Sequence, residues 1–176
     1  MNILSRLFGK GQDDRAPVRP LWHRVVELAR APQWYAECGV ADTVPGRFDA
    51  LALVLALVML RMEREEALIA PSALLNELFI EDMDGQLRQS GVGDLVVGKR
   101  IGKLMGALGG RITALREALA AEDGAAADAA LVEVARRNVT MSEAGDPAKV
   151  AARLRALADC LDGLSGEELL AGRIAL

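Results

Sequence analysis

Residues 50–60 read ALALVLALVML, eleven apolar residues in a row. A helix that crosses a bilayer needs about 20 such residues, so this run is too short to span one. Its alanines and leucines favour helix over strand, and it has no polar face. A helix that is apolar all round has to be buried on every side. The segment therefore predicts a central core helix at about 48–62, with Arg47 before the run and Arg61 after it.

The remainder of the chain is suited to surrounding such a helix. It has 176 residues, 52% of them hydrophobic but only 3% aromatic. Alanine and leucine dominate, the composition of an all-α domain. The expected architecture is a single compact helical domain of six to eight helices over residues 20–176. Pro20 and Pro32 sit where first helical turns accept proline, and Thr43 or Asp42 is placed to cap the central helix. Asp146-Pro147 and the capping-box run from Ser165 to Glu168 mark two later helix starts.

Several function classes lose ground on composition. The net charge is −4, which argues against general nucleic-acid binding. Cys38 and Cys160 lack metal-ligand spacing and read as free thiols. His23 is the single histidine and reads as a helix-surface residue, so no histidine metal site or cofactor site is expected. Residues 1–19 read as a flexible or weakly amphipathic segment. Ile3, Leu4, Leu7 and Phe8, with Arg6 and Lys10, suit weak contact with a membrane surface.

Unusual residues concentrate in residues 79–111, FIEDMDGQLRQSGVGDLVVGKRIGKLMGALGGR. A helix over about 72–89 places Leu75, Leu78, Phe79, Met83 and Leu87 on one face. Glu77, Glu81 and Asp84 fall opposite, with Arg88 in pairing position to Asp84. Asp82 lies on the apolar side and needs a partner; Arg47 is the first candidate and Arg100 the second. Gly91 suits a helix end, and Asp94 suits the cap of a long helix running to about residue 120. Lys99, Arg100, Lys103 and Arg111 share a basic face of that helix. Beside them Gly98, Gly102, Gly106 and Gly110 recur every fourth residue. Each glycine costs a helix about 1 kcal/mol relative to alanine, so the stripe implies close approach of another backbone. Packing within the domain is the favoured explanation, a partner helix the other.

These residues resemble the ubiquinol–cytochrome c chaperone family. The resemblance rests on D42-T-V-P-G-R-F48, F79-I-E-D-M-D84, L87-R-Q-S-G-V-G-D94, V97-G-K-R-I101 and G110-R111, with R137-N138 as a weaker echo. It covers roughly residues 33–140. It implies a helical, non-enzymatic assembly chaperone that binds newly made cytochrome b. In mitochondrial relatives such a chaperone works with a small helper protein near the ribosome exit. The implied location is the cytoplasmic side of a bacterial inner membrane or the mitochondrial matrix, and the lack of a targeting peptide favours the bacterial inner membrane.

On that view the client-binding candidates are Lys99, Arg100, Lys103, Arg111, Gly98, Gly102 and Gly106, with Glu77, Glu81 and Asp84 as an acidic flank. Asp82 and Arg47 form the structural ion pair. Two other functions compete. A peripheral membrane scaffold would act through the N-terminal segment, and a metal-dependent enzyme would use the Glu77, Glu81, Asp82 and Asp84 carboxylates as oxygen ligands.

Overall fold

The computed structural model describes residues 13–121 and 123–176. After a short 3-10 turn at Ala16–Val18 come α1 (Arg19–Ala29), α2 (Pro32–Ala36), α3 (Val44–Met62), α4 (Glu66–Gln89), α5 (Asp94–Leu119), α6 (Gly124–Asn138), α7 (Pro147–Asp162) and α8 (Gly166–Leu170). Among the described residues the only strand-like pairing is an isolated bridge between Val40 and Met141. The architecture is all-α, as the composition predicts.

α3 is the central helix. Every residue from Ala50 to Val58 is buried, and α1, α4, α5 and α7 all pack against it. It starts at Val44, several residues before the expected 48. Thr43 Oγ1 accepts a hydrogen bond from the Gly46 amide at 3.3 Å, and Pro45 occupies the first turn, so capping begins ahead of the apolar run. Gly46 is required by close approach, because a Cβ there would collide with the Ala41 carbonyl oxygen.

α4 also starts earlier than expected, at Glu66 instead of about residue 72, and carries Pro71 inside it. Proline there lacks only the amide that would bond back to residue 67, one turn into the helix, and Leu68 is buried ahead of it. Leu75, Leu78, Phe79 and Met83 form its buried face. The turn to α5 uses Gly91 at φ 81°, a left-handed conformation that favours glycine.

α5 runs unbroken through Gly109-Gly110. Val97, Leu108 and Leu115 are buried, while Ile101, Leu104, Ile112 and Leu119 are half-buried. The helix begins with Asp94 itself, and Gly93 occupies the cap without a side-chain bond. α6 is capped by Asp123, which accepts from the Ala125 and Ala126 amides at 3.3 Å. α7 is capped by Asp146 and α8 by the Ser165–Glu168 capping box.

Order begins before residue 20. Val18 is fully buried, and Arg15 reaches Glu81 at 2.6 Å, so the core includes part of the segment expected to be peripheral. The amphipathic residues Ile3, Leu4, Leu7 and Phe8 lie outside the described residues.

Candidate functional site

α5 and the neighbouring end of α4 carry most of the expected site residues. Lys99, Arg100 and Lys103 are exposed and make no ion pair among the described residues. Gly98, Gly102, Gly106 and Gly110 have open space where a Cβ would stand. The favoured explanation of the stripe, packing against another helix within the domain, is therefore incorrect: these glycines face outward. The turn-by-turn spacing set them in one row, but the domain covers only the opposite side of α5.

On the acidic flank Glu77 and Glu81 are exposed and Asp84 is half-buried. Arg88 donates to Asp84 at 2.6 Å and also pairs with Asp94. Glu81 is engaged by Arg15. Among the described residues no three His, Cys, Asp or Glu side chains gather in a metal-binding cluster. The carboxylates share a helix side but do not converge.

The expected Asp82–Arg47 pair does not form. Asp82 is half-buried and accepts from Gln86 Nε2 at 2.9 Å, a partner one turn along its own helix. Arg47 turns back to Asp42 at 2.6 Å, and both side chains are 62% exposed. In each case a neighbour close in sequence supplies the hydrogen bond at lower ordering cost than a distant charge.

Arg111 departs furthest from expectation. It is only 8% exposed and belongs to the interior, not to the basic outer face. It lies three residues after Leu108 and four before Leu115, so it continues the buried row of α5. Its guanidinium pairs with Asp49, itself 7% exposed. Arg111 also donates to the Asn138 carbonyl at 2.7 Å and the Ala107 carbonyl at 3.1 Å. Asp49 accepts from the Thr140 amide at 2.8 Å and from Thr140 Oγ1 at 2.7 Å. Burial pushes the Arg111 guanidinium below its ordinary pKa, and Asp49 opposes the shift. The pair ties α3, α5 and the segment after α6 together. The sequence signal was available, since Asp49 abuts the apolar run and Arg111 sits in the apolar phase.

The Arg111 guanidinium also lies over the Phe48 ring, 5.6 Å from its centroid. Phe48 helps line a groove of about 1110 Å³ between α1, α2, the start of α3, the end of α4 and α5. Val44, Phe48 and Leu51 form one wall, Met83 and Leu87 another, and Leu104 closes it from α5. Asp42, Arg47, Asp82 and Gln86 also line it, so the two residues expected to pair face a common space without touching. Tyr35 borders it and donates its hydroxyl to the Ala29 carbonyl at 2.8 Å; burial and the nearby Asp42 push its pKa up. Sequence reasoning missed the groove because its walls come from five separate helices.

A family model described as "Ubiquinol-cytochrome C chaperone" matches residues 36–176. The chain is also similar to a solved structure described as the crystal structure of the Cbp3 homolog from Brucella abortus. The two share 34% sequence identity at a TM-score of 0.78, with 99% of this chain and 96% of that chain covered. No curated protein sequence matches the chain.

Proposed function

The chain belongs to the ubiquinol–cytochrome c chaperone family, and we propose that it serves as an assembly chaperone that binds newly made cytochrome b. It holds its client without chemistry of its own, in support of ubiquinol–cytochrome c reductase biogenesis. The observation that carries this reading is the uncovered side of α5. There Lys99, Arg100 and Lys103 flank a glycine row with nothing packed against it. A stripe that costs helix stability and gives no packing within the domain is accounted for by a partner that approaches closely. Helix-in-groove recognition uses surfaces of this kind.

Among the described residues no helix is long and apolar enough to cross a membrane. The client is a membrane protein, so the proposed site of action is the cytoplasmic face of a bacterial inner membrane. The test is copurification. Tagged protein drawn from a gently solubilised membrane extract should carry cytochrome b in excess over other membrane proteins of similar abundance. Recovery of cytochrome b at background level overturns the assignment.

A further inference from the structure

We propose that the tip of the α4–α5 hairpin docks on a lipid bilayer with anionic headgroups. Leu95 and Val96 enter the lipid, and Lys99, Arg100 and Lys103 meet the headgroups. The inference goes beyond the chaperone reading: it adds a lipid partner to the protein one, and its direct test needs no client. Three observations lead there.

The first is exposure. Among the described residues the large hydrophobics left exposed are Val44, Ile69, Leu95, Val96 and Leu176. Leu95 and Val96 are the adjacent pair, 100% and 46% exposed. Both stand in the first turn of α5, which packs instead through Val97. The turn ahead of them, residues 89–93, reads Gln-Ser-Gly-Val-Gly and holds no charge. A Cβ added at Gly91 or Gly93 meets nothing within 4 Å, so the turn stands clear of the domain. Two aliphatic side chains on such a turn are too little for a stable protein interface, which takes about 800 Å² from each partner. They suit shallow insertion at a bilayer surface, ~5–10 Å deep.

The second is the segregation of charge. Residues 82–103 hold four cations and three carboxylates, in a chain whose net charge is −4. The carboxylates come first. Asp82 lines the groove and bonds Gln86, and Asp84 and Asp94 share the single cation Arg88. From Leu95 to Arg116 the sequence has no carboxylate at all. Lys99, Arg100 and Lys103 are exposed there, on the side of α5 that the domain leaves uncovered. Each cation held near an anionic membrane surface strengthens attachment about fivefold.

The third is register. Lys99 follows Leu95 by four residues and Arg100 follows Val96 by four, so each cation lies on the same side of the helix as its aliphatic neighbour. The separation along the axis is about 6 Å. Each exposed aliphatic side chain therefore has a cation one turn behind it. Hydrocarbon and headgroup are layered in that order, and long cationic side chains reach back to the headgroup level. The glycine row runs from Gly98 away from the tip along the uncovered side of α5. Docking by the tip thus holds the proposed client surface beside the bilayer.

The experiment uses the full chain with two kinds of vesicle, equimolar phosphatidylglycerol and phosphatidylcholine, and phosphatidylcholine alone, read by flotation. The anionic vesicles should bind at least about tenfold more tightly, with the preference shrinking as salt rises. Two double variants place the contact: Lys99→Glu with Lys103→Glu, and Leu95→Ser with Val96→Ser. All four side chains are exposed, so both should keep native helical circular dichroism. Each should weaken anionic-vesicle binding by about tenfold or more. In Leu95→Trp the added indole's emission should shift to the blue with anionic vesicles; Trp22 and Trp34 are buried, and the parent protein supplies their baseline. Equal binding to the two vesicles, or binding to neither, overturns the proposal, as does an unshifted Leu95→Trp emission. Loss in the lysine pair alone makes the contact purely electrostatic and overturns the insertion of Leu95 and Val96. Unchanged binding in both pairs, with loss in Leu4→Glu combined with Phe8→Glu, moves the contact to the N-terminal segment and overturns it. Absent vesicle binding together with reduced cytochrome b capture by Leu95→Ser with Val96→Ser makes the tip a protein contact and overturns it too. Cytochrome b copurification by the wild type separates this result from the wider reading. Capture without vesicle binding removes the membrane contact and leaves the chaperone function standing. Vesicle binding that follows the tip, without capture, removes the chaperone function and leaves the membrane contact.

Discussion

Replacing Asp49 by alanine strands the Arg111 guanidinium in a site where both partners are nearly inaccessible. Removing one member of a buried pair costs about 3–5 kcal/mol, and urea unfolding of Asp49→Ala should show a loss in that range. A loss under 1 kcal/mol would mean that the site admits water. Asp82 differs, although its place on the apolar side of α4 predicts a buried charge. Its partner is an amide on its own helix, so Asp82→Ala should shift stability by less than about 1 kcal/mol. A loss approaching that of Asp49→Ala would contradict the structure. The two aspartates separate by what surrounds them: Asp49 is enclosed by α3, α5 and the segment after α6, whereas Asp82 borders an open groove.

At the scale of the element, α5 combines an ordinary buried face with an outer face of low helix propensity. Because a Cβ at Gly102 meets open space, Gly102→Ala should stabilise the protein by up to about 1 kcal/mol. Gly102→Leu should also fold, and its thermal midpoint should not fall. If either variant unfolds at a lower temperature than the parent, the glycine row is packed inside the molecule and is not a client surface. In the folded proteins Gly102→Leu should reduce cytochrome b capture by steric exclusion. Arg100→Glu combined with Lys103→Glu should reduce it by charge reversal with little change in stability, since exposed charges contribute little to folding. Native-level capture by both variants would move the binding surface away from α5.

At the scale of the whole molecule, the last residues of the chain close back on α1. Ile174 is 2% exposed, and Arg24 on α1 donates to its carbonyl at 2.8 and 2.6 Å. The C-terminal residues therefore brace the helix that forms one side of the groove. Deleting residues 173–176 removes one buried isoleucine and these bonds, a loss of about 2 kcal/mol. For a domain of this size the thermal midpoint should fall by roughly 4–8 °C, read by differential scanning calorimetry. An unchanged midpoint would make the tail an ornament.

Much of this architecture is local, and the sequence alone determined it. The eleven-residue apolar run specifies a central helix because no solvated face is available to it. The caps at Thr43, Asp146 and Ser165 follow from side chains that satisfy amides two or three residues away. The α4–α5 turn follows from Gly91, and the pairing of Arg88 with Asp84 from helix spacing. The start of α4 shows the limit of such rules, since the helix expected from about residue 72 begins at Glu66 and carries Pro71 inside it, supported by packing of the preceding turn. The partners of charged side chains were less legible. Arg47 and Asp82 look complementary in sequence yet each bonds a near neighbour, while Asp49 and Arg111, 62 positions apart, find each other. Which side of α5 is covered, and so whether its glycines are packing surface or open surface, depends on where α3, α4 and α6 lie around it. Periodicity sets the angle between two side chains on one helix; only the assembled helices decide which of those angles meets protein and which meets water.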